Sequence, residues 1–131
     1  MKSISTRQPW SYLISISICP IGSRSWKSNY RGELLIHAGQ SFDHDGARWV
    51  INHYPHLTKH VRESKNLTGG FCGIVNMTDC IKDYNHKWFV NQYGRYAHIY
   101  TNPQQIHFIP YKGFVNIFTV PDKIKSRIVK I

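Results

Sequence analysis

Four short segments in the N-terminal third of the chain combine basic and aromatic side chains. They read Arg7-Gln8-Pro9-Trp10, Arg24-Ser25-Trp26-Lys27, Tyr30-Arg31-Gly32 and Leu35-Ile36-His37-Ala38. Arginine and lysine can hold phosphates, and the faces of tryptophan and tyrosine can stack on unpaired bases. The set therefore favours a cleft that binds nucleic acid. The candidate binding residues are Arg7, Gln8, Trp10, Arg24, Trp26, Lys27, Tyr30, Arg31, His37 and, further along the chain, Lys112.

A purely structural interpretation competes with this one. Each tryptophan taken alone is more simply a core residue, and the arginines could instead be solvated or paired with Glu33. The net charge adds weight to the functional interpretation. Seventeen Lys and Arg stand against seven Asp and Glu, which gives a formal charge of +10. Charge of this density concerns partners rather than fold, and a polyanion is its natural counterpart.

The expected partner is therefore RNA or another single-stranded nucleic acid. Binding to an anionic membrane surface would need a basic amphipathic helix with apolar residues along one side. No segment has that pattern, and none has the ~20 apolar residues that crossing a bilayer requires, so we expect no membrane partner. Some small proteins are simply basic, which leaves a protein-interaction module as an alternative.

Cysteine and histidine residues are the candidates for disulfide and metal chemistry. Three cysteines without CxxC spacing form no disulfide framework, which favours a reducing, cytoplasmic location. His53, His56 and His60 have the spacing of one helical face, but Pro55 interrupts that helix and no carboxylate lies at a matching step. We therefore expect neither a metal nor another cofactor.

Short strands and a few helices are the elements that must position these residues within one domain, residues 1–131. Pro9 suits the first turn of a helix that ends before Pro20. From Ala47 to Val61, apolar residues recur at steps of three and four, which predicts a second helical segment with a break at Pro55. The predicted strands are 2–7, 25–27, 33–38, 71–81, 96–101 and 114–120. The predicted class is α+β, mainly β: a small closed or nearly closed barrel with short helices after the first and third strands.

These segments, in this order, resemble the ASCH domain family of the PUA-like superfamily. The resemblance also includes Gly69-Gly70-Phe71-Cys72-Gly73-Ile74-Val75 and the turn Pro110-Tyr111-Lys112-Gly113, and it runs from residue 2 to about 120. It implies a PUA-type β-barrel whose first helix and neighbouring loops frame a cleft. Members of the family bind RNA, and some are enzymes, so a ribonuclease or a nucleoside amidohydrolase is the alternative function.

The chain departs from the family pattern between the first helix and Arg24. There the family commonly has a glycine, a lysine, and then a glutamate or hydroxyl residue, whereas this chain has Ser17, Cys19 and Gly22. A lysine and a carboxylate are the groups that a hydrolytic site uses for proton transfer and charge stabilisation. We therefore expect a binding protein rather than an enzyme and assign no catalytic residue. Cys19 is expected to be a buried, inert thiol.

Overall fold

The computed structural model describes all 131 residues and contains one sheet of six strands with helices packed against it. The strands are β1 (Lys2–Gln8), β2 (Ile21–Arg24), β3 (Gly32–Phe42), β4 (Gly70–Lys82), β5 (Tyr96–Pro110) and β6 (Ile117–Thr119). The α-helices are α1 (Trp10–Ser15), α2 (His44–His53), α3 (Thr58–Ser64) and α4 (Asp122–Lys125). Single turns of 3₁₀-helix span Pro55–Leu57 and Asn91–Tyr93. The mixed, β-rich class is confirmed, as are the helices after the first and third strands.

The strand order across the sheet is β2-β5-β4-β3-β1-β6. β1 pairs with β3 in parallel, and every other pairing is antiparallel. The two edge strands, β2 and β6, do not pair with each other, so the sheet is open and a closed barrel is not confirmed. The parallel pairing brings the carboxyl ends of β1 and β3 to the same edge of the sheet.

The central strand β3 is buried on both faces, and this divides the core into two parts. Successive side chains of a strand point to opposite faces. Accordingly, Leu34 and Ile36 belong to a cluster of 18 buried residues under α1, α2 and α3, whereas Leu35 belongs to a cluster of eight that includes α4. Burial on both faces explains why residues 34–38 are almost uninterruptedly apolar.

The predicted helical break at Pro55 is confirmed. α2 ends at His53, and Tyr54 leaves helical geometry before the 3₁₀ turn that begins at Pro55. The start of α2 is fixed by Asp43, whose side chain accepts a hydrogen bond from the Gly46 N–H. An aspartate in this position satisfies one of the backbone donors that the first helical turn leaves unpaired.

The predicted strand 25–27 is wrong. The strand in this region is β2, which ends at Arg24 because its partner β5 begins at Tyr96, directly opposite Arg24. Gly94 packs so closely against the Arg24 carbonyl that a Cβ there would lie 2.3 Å from its oxygen. The chain turns away at Ser25, and Trp26 and Lys27 lie outside the sheet.

Two later strands have different bounds from those predicted. β5 continues to Pro110 instead of ending at Thr101, although Pro103 lies within it. The register of β4 with β5 shifts between Ile74 and Asn76, so Pro103 falls in a bulge where it need not donate a ladder hydrogen bond. In the predicted strand 114–120, only Ile117–Thr119 pairs with a neighbour, β1.

Candidate functional site

A cleft of about 200 Å³ opens where β1 runs into α1, beside β2 and the segment 88–93. The side chains that give it chemical character are Arg7, Trp10, Arg24, Asp43, Trp88 and Tyr93. Three of them are aromatic, two are guanidinium groups and one is a carboxylate. The cleft therefore offers flat apolar surface next to positive charge.

Asp43 lies at the base of this cleft and organises it. The residue is only 4% exposed, and its carboxylate accepts hydrogen bonds from the Trp10 Nε1–H at 2.9 Å and from the Tyr93 hydroxyl. Its other oxygen caps α2 through the Gly46 N–H. The Arg7 guanidinium lies 3.7 Å away, and half of the Arg7 side chain stays exposed to solvent. One buried carboxylate thus ties together the start of α1, the start of α2 and the segment that ends at Tyr93.

The ionisation of Asp43 follows from these contacts. Burial alone would raise the pKa of its carboxyl, but hydrogen bonds from Tyr93, Trp10 and Gly46 and the charge of Arg7 hold that pKa below its ordinary value. Asp43 is therefore charged at neutral pH. Burial, together with the hydrogen bond to Asp43 and its charge, raises the pKa of Tyr93 to about 12, so its hydroxyl stays protonated and remains a donor.

Aromatic contacts extend from Trp10 towards α2 and Tyr54. The Trp10 ring meets Tyr93 edge-on with 5.9 Å between ring centroids, and it lies 5.9 Å from the Trp49 ring. Trp88 is buried and stacks on Tyr54 with 4.5 Å between centroids. Trp10 itself is only partly buried. It therefore combines a fixed orientation with a place on the cleft wall.

Arg24 reaches back across the sheet to β1. Its guanidinium donates to the Ser5 carbonyl at 2.9 Å and to the Thr6 hydroxyl. No carboxylate lies within ion-pairing distance of Arg24, so its positive charge is uncompensated by a direct partner. The side chain both fixes the position of β1 and adds positive charge to the cleft.

The other candidate binding residues do not line this cleft. Gln8 is fully buried, and its side-chain amide donates to the Leu67 carbonyl and accepts from the Tyr12 N–H. Trp26 packs edge-on against the buried His98, whose ring bonds to the Trp26 carbonyl at 3.0 Å. These contacts show that Gln8 and Trp26 serve packing. For Trp26, this agrees with the interpretation of the tryptophans as core residues.

Lys27, Tyr30 and Arg31 lie at the turn that leads into β3. Lys27 is exposed, and the Tyr30 hydroxyl donates to the backbone carbonyl of Glu33. Arg31 lies 3.8 Å from Asp79, so its acidic neighbour is Asp79 rather than Glu33. The structure separates these three residues from the cleft lined by Arg7 and Arg24.

His37 and Lys112 line a second depression that adjoins the first. Ser5 and Gly39 belong to the walls of both, so the two depressions meet across β1. The His37 ring contacts the Ser5 hydroxyl at 3.0 Å and the Tyr111 carbonyl at 2.7 Å. The shared wall makes one continuous surface from Lys112 past Ser5 to Arg7.

Cys19 and Gly22 stand where the family resemblance would place reactive groups. Cys19 is buried, and burial raises the pKa of its thiol to about 12, so it stays protonated at neutral pH. Gly22 lies on the cleft wall, where a Cβ would come within 2.8 Å of the Tyr100 hydroxyl. Neither residue supplies a proton-transfer group to the cleft.

No cluster of three or more metal-ligating side chains is present. His53, His56 and His60 fall on three successive elements, α2, the 3₁₀ turn and α3. The His53 Nδ1 is hydrogen-bonded to the Trp49 carbonyl at 2.8 Å. The three histidines therefore do not lie on one face of a single helix.

Sequence reasoning missed three residues of the cleft, Asp43, Trp88 and Tyr93. Asp43 directly precedes α2 and stands three residues before Gly46, which is the pattern of a helix N-cap. That signal could have identified its helix-capping role but not its bonds to Trp10 and Tyr93. Tyr93 follows no periodic pattern, and only the folded chain brings it to Trp10 and Asp43.

Comparisons with known proteins leave the family open. No protein-family model matches the sequence, and a search of curated proteins finds no significant match. The resemblance to the ASCH family therefore stays a prediction that depends on the quoted segments alone. Separately, none of the helices is both long and apolar enough to span a bilayer.

Proposed function

We propose that this protein binds single-stranded nucleic acid, foremost RNA, by receiving an unpaired base in the cleft lined by Trp10 and Tyr93. The single observation that carries the proposal is the convergence of a partly exposed tryptophan with Arg7 and Arg24 in one cleft of a strongly basic protein. Aromatic rings that stack bases beside groups that hold phosphates are the recurrent elements of single-strand recognition.

Trp10 suits the stacking role because it is oriented before any ligand arrives. Its Nε1–H is bonded to the buried Asp43 and its ring is braced by Tyr93. A ring that is already fixed loses little conformational entropy on binding. Stacking of one base on an aromatic side chain contributes about 1–3 kcal/mol.

Arg7 suits the phosphate-binding role. Although it lies 3.7 Å from Asp43, half of its side chain is exposed, and it stands on the wall of the cleft. A guanidinium can therefore face the buried carboxylate and still offer N–H groups to a phosphate outside. Arg24 and Lys112 extend the positive charge along the same surface.

The finer assignment, an ASCH domain of the PUA-like superfamily, belongs to the same proposal. Helices inserted after the first and third strands, and a cleft framed by the first helix, support it. The family's enzymatic activities are not part of the proposal. Cys19 and Gly22 stand where the family commonly has a lysine and then a glutamate or hydroxyl residue, and Cys19 is buried.

The proposal is tested with fluorescently labelled random ten-nucleotide RNA, titrated at several salt concentrations. We expect Arg7→Gln to weaken binding and to reduce the slope of log affinity against log salt by about 0.7, the value for one phosphate contact on a single strand. Arg127→Gln, an exposed arginine in the turn after α4, removes the same charge outside the cleft and serves as the matched control.

Thermal melting of both variants shows whether each is folded. Two results would contradict the proposal. One is the absence of wild-type binding even at low salt, and the other is an equal effect of the Arg7 and Arg127 substitutions, since that would indicate diffuse charge rather than a cleft.

A further inference from the structure

Ser5 and His37 form a hydrogen-bonded pair whose proton positions can be deduced. They are direct neighbours in the parallel register of β1 and β3. The Ser5 Oγ lies 3.0 Å from the His37 Nδ1, and the His37 Nε2 lies 2.7 Å from the Tyr111 carbonyl oxygen. A carbonyl can only accept a hydrogen bond, so Nε2 must carry the hydrogen.

The other ring nitrogen of His37, Nδ1, is the acceptor in the bond to Ser5. A neutral imidazole carries one hydrogen, and since Nε2 holds it, Nδ1 has only a lone pair. The Ser5 hydroxyl must therefore be the donor in the Ser5–His37 bond. Its own hydrogen is committed to His37, and the Ser5 Oγ is left with lone pairs that can only accept from a ligand.

The surroundings of His37 keep this arrangement in place. The ring is held between Phe71 and Phe118, each edge-on, with centroids 5.4 and 6.0 Å away. His37 is only 2% exposed, and burial, opposed in part by the bond to Tyr111, lowers its pKa below the ordinary value. It is therefore neutral at pH 7.5, and hydrogen bonds at both ring nitrogens fix its orientation.

Ser5 borders the cleft, and its hydroxyl faces His37 in the wall of the second depression. Ser5 is partly exposed and belongs to the walls of both depressions. Gly113 packs over the pair so closely that a Cβ at that position would lie 2.8 Å from the Ser5 Oγ and 2.3 Å from the His37 Cε1. A side chain at position 113 would therefore collide with both members of the pair.

We propose that the Ser5 Oγ accepts a hydrogen bond from a ribose 2′-hydroxyl, so that the cleft selects RNA over DNA. This rests on the proposed function, because it assumes a strand that enters beside Arg7. A phosphate oxygen has no hydrogen to give, and an acceptor-only serine would repel it. The 2′-hydroxyl can donate, and it is the group that distinguishes RNA from DNA.

The test compares three random ten-nucleotide pools in the wild-type protein at pH 7.5: RNA, DNA and 2′-fluoro RNA. The fluorine keeps an RNA-like sugar pucker but cannot donate a hydrogen bond. We expect RNA to bind about three- to tenfold more tightly than DNA, the worth of one net hydrogen bond. The 2′-fluoro pool should bind as weakly as DNA.

Ser5→Ala should abolish this preference by weakening RNA binding and leaving DNA binding unchanged. Ser25→Ala, an exposed serine outside the cleft, should keep the wild-type ratio. Equal wild-type affinity for RNA and DNA would overturn the inference and leave the proposed function standing. A preference that survives in Ser5→Ala or with the 2′-fluoro pool would overturn it as well. Failure of all three pools to bind would instead contradict the proposed function itself.

Discussion

Replacing Asp43 by alanine tests whether one buried carboxylate holds the cleft together. The substitution removes the cap of α2, which costs about 1 kcal/mol. It also leaves the Trp10 Nε1–H, and in part the Tyr93 hydroxyl, without the acceptor to which they now bond, at about 1–3 kcal/mol for each donor that stays buried. The partly exposed Tyr93 can turn towards solvent, so we expect a total loss near 3 kcal/mol.

That loss should lower the melting temperature by roughly 10 °C in a domain of this size. It is measured by urea and thermal unfolding at pH 7, with near-ultraviolet circular dichroism to follow the environment of Trp10. Asp43→Asn is the matched control, since asparagine caps a helix as well as aspartate but offers only one acceptor oxygen. We expect Asn to lose about half as much stability as Ala.

Two results would refute this reasoning. A loss below about 1 kcal/mol for Asp43→Ala would mean that the bonds to Trp10 and Tyr93 contribute nothing beyond the cap. Equal stability of the Asn variant and the wild-type protein would mean that the charge and the second oxygen are irrelevant.

Two further predictions concern buried titratable groups. Burial lowers the pKa of His98 from 6.5 to about 4, so the unfolded chain binds the proton first and stability should fall as pH drops from 6.5 towards 4. A gap of about 2.5 pKa units at 1.36 kcal/mol each limits the loss of stability to about 3 kcal/mol. Urea unfolding at pH 7.5, 5.5 and 4.5 measures this loss. If the stability of His98→Gln falls as steeply with pH, the loss must come from other groups. Burial likewise raises the thiol pKa of Cys19 and Cys72 to about 12, while Cys80 is half-buried. A thiol-specific reagent should therefore modify Cys80 alone in the native protein, and rapid modification of all three would contradict the packing.

The sequence was a reliable guide where local chemistry decides the structure. The break at Pro55 follows from the missing N–H of proline, and the continuous apolar run of β3 follows from its central place in the sheet. Arg7 and Trp10 were correctly grouped because both stand at the junction of β1 and α1, where sequence neighbours remain spatial neighbours. Arg24 joined them because β2 ends beside that junction.

The sequence was a poor guide where distant segments decide the structure. The predicted strand 25–27 failed because the end of β2 is set by the start of β5, some seventy residues later. For the same reason Trp26 and Arg31, which share a basic and aromatic pattern with Arg7, lie outside the cleft. Tyr93 was missed because only its bond to Asp43, fifty residues away, reveals a role.

The position of β1 between β3 and β6 has a consequence for how this protein folds and binds. Residues 3–8 pair with residues 35–42 on one side, and residues 2–4 pair with residues 117–119 on the other. Contacts between such distant segments form late and slow the search for the native state. The strand that carries Ser5 and Arg7 is therefore secured only when nearly the whole domain is assembled. A ligand held there opposes global unfolding rather than local fraying, and occupancy of the cleft is coupled to the cooperative stability of the entire chain.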